Sequence, residues 1–517
     1  MSTVDENVIR GRELTAPFSA KVDVVIIGSG AGGAVMAREL ARDGKSVIVL
    51  EEGGYYTPDE YGKMTPSNTF RRLAREAGMS AAVGLGDTPL ISVLAGKCVG
   101  GSSVLTGGVC FRIPGDILHE WTHHLGLTRM SADVLDPYFS RVEEIIHVAE
   151  VPMHMRSRGT ELFVEGADKL GIPMQSLRRN IEGCRGAARC NFGCPHKAKM
   201  SVDIAFLPDA CAHGASILAD ALVEKIAIAG GRATGVCGRF LDRLTGEPNV
   251  PFEVRAKLVV VACGSLHTPI LLRKSGLDAH DIGKHLTLHP AFRVGAIFDE
   301  EVNGWDGALQ SVYSDHFASD GITLVGVYSA VNMLAAAFPG IGREHRRLTR
   351  KIPNLAVFGG MVHDEGGGRV QRWLSREPLI TYRMTPRDKA RLMKGIQIVG
   401  RMAFAAGAKE VMLPIFGAQT FKSERELAFL TESPPDARRV ECMAFHPLGS
   451  AKMSADARTG VVKPTGETWA VDNLFVADGS VLPTSIGVNS QLPVMGVAMM
   501  IARGICADWA TYARRAG

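Results

Sequence analysis

Residues 23–54, DVVIIGSGAGGAVMARELARDGKSVIVLEEGG, constrain this chain more tightly than any other stretch. The apolar run 24–27 has the length and composition of a strand buried on both faces. Gly28, Gly30 and Gly33 follow in G-x-G-x-x-G spacing. Val35, Met36 and Leu40 then give a helix its apolar face until Gly44 stops it. Residues 46–50 read as a second strand, with Glu51 at its end. In such a unit the first glycine makes a tight turn, the second lets the backbone approach a pyrophosphate, and the third permits close packing of helix on strand. The helix N-terminus offers unpaired N–H groups to phosphates. Glu51 is placed to accept hydrogen bonds from ribose hydroxyls. Glycine spacing alone is a weak signal, but the full order strand–turn–helix–strand–acid predicts a bound adenine dinucleotide.

A later segment belongs to the same kind of sheet. Residues 257–264, KLVVVACG, form a continuous apolar strand with a glycine exit. Before them, residues 217–228 and Gly230, Gly231 and Gly235 predict a strand–turn–strand excursion. Residues 290–440 differ in character, with mixed strands and polar loops, and end in a helical run at 387–406 closed by Gly407. No repeat, charge block or low-complexity linker divides the chain. At 517 residues it suits two to four domains or one large two-lobed enzyme.

Composition removes other classes. Lys+Arg number 58 against 54 Asp+Glu, and a net charge of +4 is too small for a nucleic-acid binder. A 46% hydrophobic and 22% charged chain is not disordered. No apolar run reaches the roughly 18 residues of a spanning helix. The opening MSTVDENVIRGREL lacks the apolar stretch of a secretory signal. Ten cysteines, scattered but for Cys184, Cys190 and Cys194, do not make a disulfide framework. A cytoplasmic protein without a transmembrane segment is expected, peripheral membrane association staying open.

Four ordered stretches carry a family resemblance. The first is the dinucleotide unit with its Glu-x-Gly-Gly ending. The second is GKCVGGSSVLTG at 96–107, and the third GSLHTPILLRKSG at 264–276. The fourth runs from FHPLGS at 445–450 through ADGS at 477–480 to GVN at 487–489. Together the chain resembles the glucose–methanol–choline (GMC) oxidoreductases from Asp23 to about Arg503. The resemblance implies FAD and an α/β fold. A discontinuous, Rossmann-like FAD-binding lobe (20–115, 200–290 and 440–517) would adjoin an α+β substrate-binding lobe (291–439) built on an antiparallel sheet. Residues 116–199 would be an insertion with the cysteine loop. Two positions depart from the family pattern: Thr106 stands where Asn is usual, and Asp278 replaces a glycine.

The resemblance also implies site residues. Gly28, Ser29, Gly30, Gly33 and Glu51 would serve the dinucleotide, with Gly100, Gly101, Ser102 and Thr106 around the pyrophosphate and flavin edge. Asp478 and Gly479 would approach the ribityl–phosphate region, and the backbone of Val223 the adenine. Oxidising an alcohol needs a proton acceptor with a near-neutral pKa, which favours imidazole. His446 matches the family's catalytic histidine. Asn489 matches a position of His or Asn that orients the substrate oxygen, the alternative being a cap on the following helix. His289-Pro290 resembles a segment near the cofactor entrance with a structural role. His119, His123 and His124 lack partner ligands at metal spacing, and no metal site is expected.

The Gly-Val-Asn form and the Cys-Asn-x-Gly-Cys-Pro core at 190–195 look like sterol and long-chain-alcohol oxidising members. A hydrophobic or aromatic alcohol is the expected substrate, oxidised by hydride transfer to flavin N5. Dioxygen, a quinone or an electron-transfer protein would be the electron acceptor. Cys184, Cys190 and Cys194 read first as structural cysteines, with a redox pair or an iron–sulfur cluster as alternatives. Arg185, Arg189, Lys197 and Lys199 read as a solvated basic face. Two other readings stay open: an NAD(P)-dependent dehydrogenase and a non-catalytic flavoprotein.

Overall fold

The computed structural model describes residues 6–242, 245–327, 331–338, 340–418 and 420–516, apart from the side chains of Asn332 and Met333. Val24, Val25, Ile26 and Ile27 have almost no exposed surface, as an unbroken apolar run requires of a strand covered on both faces. They end the strand Phe18–Ile27. On one side it pairs in parallel with Val47–Leu50, Val24 opposite Val47. On the other it pairs in parallel with Pro248–Val261, Val24 opposite Leu258. The eight-stranded sheet runs in the order Val8–Arg10, Ser216–Ala219, Val47–Leu50, Phe18–Ile27, Pro248–Val261, Arg232–Leu241, Ala221–Ala229. Leu474–Val476 pairs with the last residues of Pro248–Val261.

The run at 257–261 is thus the end of a longer strand. Its first part alternates buried and exposed because it carries the hairpin Ala221–Ala229 and Arg232–Leu241, whereas its last four residues lie wholly inside. The expected excursion is this hairpin. The helix Ala31–Arg42 covers the sheet and packs on the apolar helix Gln491–Ala507. Glycine lets the helix start lie close to the strand ends: a Cβ on Gly32 would lie 1.7 Å from Ala477 O, and one on Gly33 1.9 Å from Gly28 O. Among the described residues no single helix is long and apolar enough to cross a membrane. The helix Gln491–Ala507 spends its apolar surface inside the core.

A second, eleven-stranded sheet runs Arg369–Gln371, Leu379–Tyr382, Ala81–Gly84, Ile91–Val93, Cys442–Ala444, Ala291–Ile297, Leu355–Val362, Ile322–Gly326, Val312–Ser314, Gln175–Ser176. Glu410–Met412 pairs with Ala291–Ile297. Most pairs are antiparallel; Ala81–Gly84 and Ile91–Val93 join it through one parallel pair each. The helix Pro386–Ala406 lies over it, and Thr385 and Asp388 cap each other's backbone at its start. Gly407 ends that helix at φ +106°. The chain leaves the second sheet at Ala444, and Ser265 of the first lobe then donates its hydroxyl to Pro447 O.

Candidate active site

A cleft between the two lobes is lined by Gly28, Gly30, Ala31, Leu50, Glu51 and Val223, by Gly101, Ser102, Thr106, Asp478 and Gly479, and by His446 and Asn489. A Cβ added to Gly30 would meet only Gly101 Cα, at 4.0 Å, so the backbone at the helix N-terminus stands open to a ligand. Glu51 is buried, and burial pushes its carboxyl above the ordinary range. Ser29 N and Oγ donate to its Oε2 at 3.0 and 2.7 Å, and Gly53 N to its Oε1 at 2.8 Å.

Three expected cofactor residues do not face this cleft. Ser29 is fully buried, and its hydroxyl braces Glu51 while accepting from Gly100 N at 3.0 Å. Gly33 packs against Gly28, and Gly100 takes a left-handed turn at φ +94°. Their task is to hold the loops that carry Glu51 and Gly101. Asp478 lines the cleft but spends its carboxylate on Gly264 N, Thr268 Oγ1 and Ser480 N. The Thr106 hydroxyl donates to Gln491 Oε1 at 3.0 Å, a partner with no motif to announce it. Asp278 is exposed and pairs with Arg273, which makes its departure from the family pattern a surface change.

His446 leaves the strand Cys442–Ala444 of the second sheet, whereas Asn489 precedes the helix Gln491–Ala507 of the first lobe. They meet at 3.0 Å, Asn489 Nδ2 to His446 Nε2. Ser490, not Asn489, is the residue at the helix N-cap. Asn489 Oδ1 and His446 Nδ1 are buried polar atoms without a partner, which is what a site shaped for a bound molecule leaves over. Beside them His289 lies fully buried, its ring centroid 5.7 Å from that of His446.

Burial, and after it His289, push His446 down to about 3; burial and the nearby His363 hold His289 at about 4. An unfolded-chain histidine takes a proton near 6.5. Between those values the unfolded chain binds more protons than the folded one. Stability from these two residues is therefore complete above about pH 6.5 and is lost as pH falls through that window. Urea midpoints should fall with pH there, and His289→Gln should flatten part of the slope. A midpoint unchanged across the window would contradict the neutral pair.

The cysteine loop does not gather ligands. Cys190 packs with Ile297, Leu309 and Leu355, while Cys184 sits against Val151, Ile181 and Ala308. Among the described residues no three His, Cys, Asp or Glu side chains come together to hold a metal. The solvated basic face is corrected at one position: Lys199 is 2% exposed, because its ammonium reaches inward to three backbone carbonyls. An ionic cluster also escaped the sequence: Arg75 bridges Glu52 and Glu377, and His267 meets Glu377 at 3.1 Å. Despite burial, His267 and Arg75 bring Glu377 down to about 2.

The lining, from an acid and an open helix N-terminus to a His–Asn pair, fits FAD, and known proteins agree. The family model described as GMC oxidoreductase matches residues 22–291 with its N-terminal part and 372–498 with its C-terminal part. An uncharacterised GMC-type oxidoreductase of Mycobacterium tuberculosis is 39% identical over 94% of this chain and 76% of its own length. A long-chain-alcohol oxidase of Arabidopsis thaliana is 29% identical over 94% of this chain and 67% of its own. A variant of Aspergillus oryzae formate oxidase shares the fold at TM-score 0.73 and 16% identity, covering 96% of this chain and all (100%) of that one. These findings replace the nicotinamide alternative: the chain belongs to the GMC oxidoreductase family, and its cofactor is FAD.

Proposed function

We propose that this protein oxidises a hydrophobic or aromatic alcohol to the aldehyde or ketone, with His446 as proton acceptor and Asn489 as the group that orients the oxygen. The contact of His446 Nε2 with Asn489 Nδ2 at 3.0 Å in the cleft wall carries the proposal. A ring nitrogen that accepts from an amide N–H carries no proton, and a hydroxyl that takes the place of that amide contact can give its proton to it. A substrate hydroxyl set between the two would give its proton to Nε2 and accept from Nδ2. When bound, FAD supplies the two-electron acceptor for the hydride that leaves the carbinol carbon. The amide N–H then stays on the oxygen as the carbonyl forms.

Val109, Val327 and Phe445 line the cleft and support an apolar substrate body. The named activity of the Arabidopsis relative favours the same class and dioxygen as electron acceptor. Anaerobic mixing of the holoenzyme with linear, aromatic and sugar alcohols tests the reading. Bleaching of the flavin band by a hydrophobic alcohol is the expected result. No bleaching by any alcohol would leave a flavoprotein without this catalysis. Mixing the reduced protein with dioxygen, and separately with a quinone, then identifies the acceptor.

A further inference from the structure

The loop that carries Asn489 is held at six polar groups by side chains of other segments. Trp121 Nε1 donates to Thr484 Oγ1 at 2.7 Å, and Ser485 Oγ donates to Asp364 Oδ1 at 2.8 Å. His363 Nε2 meets Ser485 O at 3.2 Å, and Thr323 Oγ1 donates to Gly487 O at 3.2 Å. Between these ties stands His289, whose Nε2 accepts from both Ile486 N at 3.1 Å and Gly487 N at 3.0 Å. A nitrogen that receives two N–H groups carries no proton, so the ring is neutral with its proton on Nδ1. Those two amides begin the Ile486–Gly487 turn, two residues before the side chain that touches His446.

His289 is itself forced into place. Its φ is +49°, a left-handed value that a β-carbon makes unfavourable. Such strain persists only where the surroundings over-determine it. Asp364 does so: it is 1% exposed and accepts from Leu288 N at 2.9 Å, His289 N at 3.1 Å, Tyr382 OH at 2.6 Å and the Ser485 hydroxyl. One buried carboxylate thus fixes the backbone of His289 and the loop that His289 holds. It links three segments that are distant in the chain.

We propose that His289, locked by Asp364, is a positioning residue that sets Asn489 against His446. This rests on the roles proposed above for that pair. His289 makes no contact with substrate in this role. It fixes the backbone from which the Asn489 amide projects, and its neutrality keeps a positive charge away from the base that must become cationic. A misplacement of about 1 Å in a reacting group costs on the order of 10²-fold in rate.

Three variants of the holoenzyme test this: His289→Leu, His289→Gln and Asp364→Asn. His289→Leu should keep FAD and slow reduction of the flavin at saturating alcohol by about 10–100-fold. The alcohol concentration for half-saturation should hardly change, because an interaction felt mainly in the transition state lowers the maximal rate and not binding. Glutamine can place an oxygen where Nε2 stands, so His289→Gln should recover most of the rate. Asp364→Asn, with one acceptor oxygen fewer, should shift the rate in the same direction as His289→Leu. If His289→Leu does not accumulate, Thr323→Val removes an outer tie of the same loop and should give a smaller loss of the same kind.

A merely structural role would lower the urea midpoint equally in the Leu and Gln variants and leave the maximal rate alone; that result overturns the proposal. Wild-type rates in all of these variants, with His446→Ala slow, would also overturn it while sparing the His446 assignment. Wild-type rates in His446→Ala as well would remove both.

Discussion

His446→Ala is expected to retain FAD and to slow flavin reduction by alcohol about 10²–10⁴-fold, the usual contribution of a positioned acid–base group. The alternatives for the proton are poor. His289 has its Nε2 engaged by two backbone amides. The Asn489 amide has no basic nitrogen. The carboxylates and the other histidine of the cleft lining are engaged: Asp478 with Gly264, Thr268 and Ser480, Glu51 with Ser29 and Gly53, Glu52 with Arg75, and His267 with Glu377. FAD retention is expected because Gly28, Gly30 and Glu51, on another segment of the cleft lining, are left unchanged. Anaerobic stopped-flow reduction measures the loss, and the visible spectrum measures occupancy. Unchanged reduction kinetics in a fully loaded variant would remove the base assignment.

Cys190→Ser is expected to destabilise the protein by about 1–3 kcal/mol, because it disturbs the acceptor that a buried Arg179 N–H uses at 2.9 Å. Arg179 has no exposed surface, and among the described residues it makes no ion pair with a carboxylate. Its guanidinium donates to Gly107 O at 2.8 Å, Gln310 O at 3.3 Å and Cys190 Sγ at 2.9 Å. Guanidinium cannot shed its proton, so burial there calls for acceptors at its N–H groups. Lys199, which burial pushes down to about 8, can shed one. Burial alone would raise the Cys190 thiol, but Arg179 and Lys199 outweigh it and bring the thiol below its ordinary value.

The sign of the pH effect follows. Stability from a lowered thiol pKa is complete above the ordinary thiol value of about 8.5 and is lost as pH falls through the folded value. The serine variant, which cannot ionise, should therefore lag furthest behind wild type in alkaline urea titrations and close the gap in acid. Arg179→Met in the same background should restore stability. A deficit independent of pH would indicate packing alone. Because Arg179 and Lys199 hold the carbonyls of Val104, Thr106 and Gly107, this pair also bears on the cleft wall.

Much of the site was legible because some chemistry is local in sequence. Gly28, Gly30 and Glu51 sit within one strand–turn–helix–strand unit, and their places follow from chain geometry over a few residues. Gly101 and Val223 also face the cleft as expected. Ser29 and Gly100 show the limit of motif reading, since spacing fixes the turn but not which side of it faces the cleft, whereas Gly33 packs helix on strand as its place in the motif implies. Lys199 shows another. A lysine among basic neighbours looks solvated until the fold supplies the carbonyls of Val104, Thr106 and Cys190.

Asp364 and His289 mark the division most clearly. Nothing near Asp364 in the chain announces four donors, because they come from Leu288, His289, Tyr382 and Ser485. By itself the sequence determined the dinucleotide unit and the family, and it singled out His446 and Asn489 as candidates. Apolar periodicity, glycine conformational freedom and residue chemistry act over short spans of chain. Only the tertiary structure decided that His446 and Asn489 touch, that Arg179 lies against Cys190, and that His289 grips the Asn489 loop. Those contacts join distant segments whose approach is set by the packing of two sheets, and sequence spacing carries no record of it.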